Sequence, residues 1–223
     1  MMKSTFTILA VIGVSLLAAF SIAPAAPQAA ELPAAWQLDI QYHGPQAILV
    51  NVPGSNKPRL FWYMRYTVSN HTGEDQIFVP DFVLYTETGQ ILRAGQRVPT
   101  AVFDAIKKLY NDPLLKDSTD ITGKLPQGED NARSGVAIWP DFDPRAGSFD
   151  IFVGGLSGET AEVVLPQPIH VQDTDPLTGA KRTVTKDRMV LSRTLDLRYF
   201  IPGEASARAT APVKLLEQRW VIR

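Results

Sequence analysis

Trp36-Gln37-Leu38-Asp39-Ile40-Gln41-Tyr42 alternates apolar and polar residues at every step. Successive side chains on a strand point to opposite faces, so this pattern predicts a half-buried strand. His43-Gly44-Pro45 turns the chain, and residues 47–52 continue as a second strand closed by Pro53-Gly54-Ser55-Asn56. Residues 60–68 form the strongest segment. Leu60, Trp62, Met64, Tyr66 and Val68 share one face, while Phe61, Tyr63, Arg65 and Thr67 share the other. Two largely apolar faces predict a central strand covered on both sides for part of its length. Further strands follow at 76–79, 81–86 and 91–92. Pro80 removes a ladder donor between the first two, which places an edge or a bulge there.

The period then changes. Val102, Phe103, Ile106, Leu109 and Tyr110 fall at helical spacing over residues 101–110. Thr100 is placed to cap this helix, or Pro99 to sit just before it, and Asn111-Asp112-Pro113 ends it. It interrupts an all-β pattern, so it is expected to be an insertion packed across a sheet face or a sandwich end. Residues 117–131 are polar and loop-like. Strands return at 134–139, 148–153, 161–165, 189–200 and 219–222, with a long turn-rich loop expected at 172–182. In the segment 189–200, Leu195, Leu197 and Tyr199 are expected inward and Thr194, Asp196 and Arg198 outward. About eight to ten short strands separated by turn signals point to a β-sandwich. Trp36, Trp62, Phe149, Leu195 and Leu197 are its expected core.

The N-terminus changes where this domain belongs. Lys3 precedes an almost wholly apolar run at 6–22, followed by small residues and prolines up to Glu31. That order is an export signal peptide. Ala23-Pro24-Ala25 and the position after Ala30 are candidate cleavage sites, and an uncleaved N-terminal anchor is the alternative. The expected organisation is therefore a leader at 1–30 and a single elaborated β-sandwich domain at 31–223, exported to a periplasmic or extracellular setting. No membrane contact is expected beyond the leader. With no cysteine in the chain, neither a disulfide nor a lipid-modified cysteine is available. Of 22 basic side chains Lys3 leaves with the leader, so 21 face 23 acidic ones. That balance argues against nucleic acid as a partner. With 45% hydrophobic and 20% charged residues the chain belongs with folded proteins.

Five stretches resemble the immunoglobulin-like domains of unknown function carried by many exported bacterial proteins. They are Tyr66-Thr67-Val68-Ser69-Asn70-His71-Thr72-Gly73 with its partner Phe82-Val83-Leu84-Tyr85-Thr86-Glu87-Thr88-Gly89; Leu125-Pro126-Gln127-Gly128-Glu129 before Ser134-Gly135-Val136-Ala137-Ile138; and Phe149-Asp150-Ile151-Phe152-Val153. The likeness covers residues 59–156. It departs from that pattern in the helix near residues 100–110, the missing anchor cysteine and the long C-terminal part. It implies a mainly β chain, an immunoglobulin-like β-sandwich with one inserted helix. It carries over no catalytic motif, so it speaks for fold and setting rather than task.

No reaction centre is legible. Gly154-Gly155-Leu156-Ser157-Gly158 lacks the register of a G-x-S-x-G elbow and reads as a strand-end turn. Thr122-Gly123-Lys124-Leu125 lacks both the upstream glycine and the following Ser or Thr of a phosphate loop. His43, His71 and His170 lie far apart, without metal-ligand spacing. Asp141 and Asp143 share one loop and could give calcium two of its six to eight oxygens. Solvated turn carboxylates are the plainer alternative, and no cofactor is expected otherwise. Trp139 and Phe142 flank Asp141, either as a stacking platform for a sugar ring or a partner chain, or as buried plugs. The expected activity is a non-enzymatic binding or structural module with an envelope or extracellular protein or glycan as partner. A carboxylate-dependent hydrolase is the alternative, pairing Asp141 with Glu159 or Asp173, because carboxylates gathered by folding leave no linear signature.

Overall fold

The structure, a computed structural model, describes residues 36–174, 179–204 and 207–223. The expected leader lies outside the described residues. Twelve strands and one helix are the longer elements among them. In chain order they are β1 (Asp39–Tyr42), β2 (Gln46–Val50), β3 (Arg59–Ser69), β4 (Gln76–Phe78), β5 (Asp81–Thr86), β6 (Ile91–Arg93), α1 (Thr100–Tyr110), β7 (Gly123–Leu125), β8 (Arg133–Pro140), β9 (Ser148–Gly154), β10 (Thr160–Thr174), β11 (Lys181–Phe200) and β12 (Lys214–Ile222).

Among the described residues the named strands pair antiparallel throughout, and the isolated bridge Lys116–Gly135 is parallel. β3 carries the first sheet: β1 and β2 pair with successive stretches of it, and β8 runs beside it from Phe61 to Val68. The second sheet runs β6-β5-β9-β11, and β12 pairs with β11 as well. β4 and β7 form a small separate pair. The fold is mainly β, and its sheets curl into a half-barrel.

The alternation along β3 explains the layering. Trp62, Met64, Tyr66 and Val68 enter the main core with Phe82 and Leu84 of β5, Phe149, Ile151 and Val153 of β9, and Leu195, Leu197 and Tyr199 of β11. Phe61 and Tyr63 leave on the other face, where α1 lays Val102 and Ile106 against them and against Val136 and Ile138 of β8. The strand is therefore covered twice, and the helix packs across a sheet face. Pro99 stands just before the helix, and no side chain caps it. Of the five expected core residues, Trp62, Phe149, Leu195 and Leu197 are buried, while Trp36 is partly buried against the same core.

Two expectations change. The loop at 172–182 and the short strand at 161–165 are replaced by one long two-stranded ribbon, in which β10 pairs with β11 from Thr160–Ser192 out to Thr174–Lys181. Most of this ribbon is exposed on both faces, so it has no core side to impose an apolar-polar alternation, and its sequence resembles a loop. The second change is on the face of β11 expected in water: Thr194 is 6% exposed, and Asp196 only 2%. Asp196 lies between Phe152 and Arg219 in register, and the Arg219 Nε donates to its Oδ2 at 2.9 Å.

Asp150 lies one diagonal away on β9, opposite Arg198. Burial, then the Asp196 carboxylate, pushes its carboxyl above the ordinary value, against the pull of Arg198 and Arg219. A carboxyl raised in the folded state binds its proton more tightly folded than unfolded. Its penalty is thus present above the folded value and disappears as pH falls through that value to the unfolded one. Asp150→Asn is expected to raise the urea midpoint at pH 7 and to leave it unchanged at pH 3. A lowered midpoint at pH 7 would show that the carboxylate is held by Arg198 instead.

Candidate functional site

Two places bring chemistry together. The first is the end of the half-barrel where β8 gives way to the loop before β9, the region singled out from sequence. The Asp141 amide bonds to the Leu60 carbonyl at 3.2 Å, which fixes the loop to the start of β3. The Trp62 Nε1 donates to Asp141 Oδ1 at 3.0 Å. Arg208 enters from the connection between β11 and β12. Its Nη1 donates to the Phe142 carbonyl at 2.9 Å, and its Nη2 lies 3.6 Å from Asp141 Oδ1. Its guanidinium stands 4.5 Å from the Phe142 ring centre and 5.5 Å from that of Trp62. A cation over aromatic faces is favourable, more so when desolvated.

Asp143 meets a different arginine. The Arg145 Nη2 lies 2.8 Å from its Oδ2, and the Arg145 amide donates to its Oδ1 at 3.0 Å. These bonds, the side-chain one first, hold the Asp143 carboxyl down at about 2. The two carboxylates proposed for calcium are thus each engaged by a guanidinium. That is a like-charge environment for a divalent cation, which needs several hard oxygens instead. Among the described residues no group of three or more His, Asp or Glu gathers to hold a metal.

The stacking platform is corrected. Trp139 is 0% exposed and Phe142 3%. Both rings fill the main core, Phe142 with its centroid 5.2 Å from that of Trp62, so neither offers a face to a ligand. The reason is their position: Trp139 pairs in register with Trp62 and shares its inward face.

The carboxylates of the hydrolase alternative are not brought together. Asp141 sits beside Leu60, at the start of β3. Glu159 is ion-paired at 2.8 Å with Arg193 and lies one residue past Gly158, whose amide bonds to Trp36 near the far end of β3. Nine strand residues at about 3.3 Å each separate those two ends. Asp173 lies out on the ribbon with Arg182 at 3.2 Å. The Gly154-Gly155 segment is a strand-end turn: Gly155 has φ +83° and lies so close to the Val79 carbonyl that a Cβ has no room. His71 bonds to Asp39 and His170 to Thr185, at unrelated places.

The second place is the ribbon, which sequence reasoning missed. Val164, Ile169, Met189 and Val190 are exposed on it, together with Lys181, Arg182, Lys186 and Arg188. Opposed residues of an antiparallel pair share a face. In the observed register Val190, Arg188, Lys186, Val184 and Arg182 fall on one face of β11, facing Glu162, Val164, Ile169, Val171 and Asp173 of β10. Glu162 reaches Arg188 at 3.0 Å and Asp173 reaches Arg182 at 3.2 Å. A signal was present in the sequence: Arg182-x-Val184-x-Lys186-x-Arg188-x-Val190 has period two. It mixes charge with apolar side chains, so it does not stand out as hydrophobic alternation.

No family model, no curated protein and no solved structure matches this chain.

Proposed function

We propose that the chain is an exported, non-enzymatic immunoglobulin-like β-sandwich that binds an envelope or extracellular partner through the β10–β11 ribbon. One observation carries this reading. A two-stranded ribbon continues beyond the strands that share the core, and it displays aliphatic side chains beside four cations. Exposed apolar side chains in continuous array mark interaction surfaces more often than solvated decoration. The dispersal of Asp141, Glu159 and Asp173, each beside its own arginine, supports binding over hydrolysis.

The leader and the resemblance over residues 59–156 support the exported setting and the sandwich class. The test is a photo-crosslinking side chain placed at Val190 of the ribbon, and separately at Ile91 of β6, both exposed. In envelope extract the Val190 position is expected to give one discrete adduct and Ile91 none. Equal labelling at both positions would overturn the reading. So would turnover of ester, glycoside or peptide substrates that a single Asp change abolishes.

A further inference from the structure

The two edges of the ribbon are unlike. β10 carries Pro166 and Pro168, which have no N–H to offer, and its register with β11 breaks between Val164 and Ile169. Such prolines and bulges blunt an edge against further pairing. The outer edge of β11 has neither. β12 covers that edge as far as Ser192, where Ser192 and Arg223 exchange backbone hydrogen bonds of 2.8 and 3.1 Å. Among the described residues β11 pairs only with β10 from there out to Lys181.

The direction of the free groups follows from the hydrogen bonds. Ser192 bonds toward β12, while the Arg193 amide bonds the other way, to the Glu159 carbonyl at 3.0 Å. Backbone groups of successive strand residues point to alternate edges. The N–H and C=O groups of Val190, Arg188, Lys186, Val184 and Arg182 therefore point out of the open edge. These are the same five residues that share one face. Their side chains repeat cation, aliphatic, cation, cation, aliphatic from Arg182 to Val190. Arg182 pairs with Asp173, and Arg188 with Glu162 and Asp187, whereas Lys186 has no ion-pair partner among the described residues.

We propose that this edge of β11 accepts an extended acidic polypeptide segment as an added strand. Main-chain bonds to the five outward residues give affinity. Carboxylates at alternate positions of the segment give specificity: one meets the unpaired Lys186, and its neighbours compete with Asp173 for Arg182 and with Glu162 for Arg188. The proposal rests on the reading of the ribbon as the binding arm and names the chemistry of its partner.

The experiment uses the mature chain and two labelled peptides of one composition, six Glu and six Thr, alternating in one and in two blocks in the other. Fluorescence anisotropy is expected to show the alternating peptide binding at least tenfold tighter. Val184→Pro removes one outward N–H and leaves the β10 ladder its donors. It is expected to weaken the alternating peptide at least tenfold with an unchanged melting midpoint. Lys186→Glu/Arg188→Glu, which keeps every backbone donor, is expected to do the same and covers the case of a misfolded proline variant.

Equal binding of the two peptides, or full binding by both variants, would overturn the proposal. So would a chain that sediments as a dimer and becomes a monomer on Val184→Pro, because the edge would then hold its own copy. A discrete Val190 adduct together with indifferent peptides leaves the arm standing and removes only the acidic strand. Loss of the Val190 adduct removes the arm itself.

Discussion

Trp62→Ala is expected to lower the unfolding free energy by about 3–5 kcal/mol in urea titration. The indole is wholly buried, and its ring centre lies 5.2 Å from Phe142 and 6.1 Å from Phe149. Truncation leaves a cavity that strand residues cannot close, because β3 is held by β8 on one side and by β1 and β2 on the other. It also takes from Asp141 its bond to Nε1 and from Arg208 one of its two aromatic faces. At about 2–4 °C per kcal/mol for a chain of this size, the melting midpoint falls by roughly 10 °C. Trp62→Phe keeps most of the ring volume and loses the hydrogen bond, so its smaller cost, about 1–2 kcal/mol, measures the polar part. A midpoint unchanged by the alanine variant would show that the end of the half-barrel is not packed around this ring.

The same residue shows what the sequence could reveal. β3 was legible because both of its faces are buried, so Phe61 and Tyr63 on one side and Trp62 and Met64 on the other were all apolar. α1 was legible because its buried stripe, Val102 and Ile106, has the helical period. The ribbon was not. Burial imposes the pattern that a reader detects, and β10 and β11 beyond Val164 and Met189 bury little. Pro166 and Pro168 fall where the pairing of β10 with β11 breaks after Val164, and the ladder resumes at Ile169. Asp196 was misplaced for the converse reason. A carboxylate in an alternating strand reads as solvent-facing, and nothing in its neighbourhood in sequence shows that β12 brings Arg219 across to it from 23 residues away.

The candidate site divides along the same line. That Trp139, Asp141 and Phe142 sit together was legible from their adjacency, but the roles of Asp141 and Phe142 depend on Arg208, 66 residues beyond Phe142. With Arg208 in place, Asp141 becomes the middle link of a chain running from Trp62 Nε1 through its carboxylate to the guanidinium. Residues chosen as ligand contacts turn out to fasten the connection between β11 and β12.

That role fixes the outcome expected for Arg208. The side chain is 5% exposed, with one hydrogen bond to the Phe142 carbonyl and its plane near two aromatic rings. Burial works against its charge, and Asp141 and then Asp143 support it. Arg208→Ala removes the stem, the cation and the bond at once, and is expected to cost about 2–4 kcal/mol. This falls below the roughly 3–5 kcal/mol of a fully buried broken pair, because the Asp141 side chain left behind is 38% exposed and recovers water. Arg208→Met keeps the apolar stem between the rings and is expected to restore all but about 1 kcal/mol of the loss. Hydrogen exchange separates packing from global loss. In the alanine variant the amides of β12 lose protection first, because the connection that returns the chain to β11 has lost its anchor, while β5 and β9 keep theirs. Uniform loss across all strands, or a methionine variant no better than alanine, would mean that Arg208 acts through its charge on the whole core rather than by pinning β12.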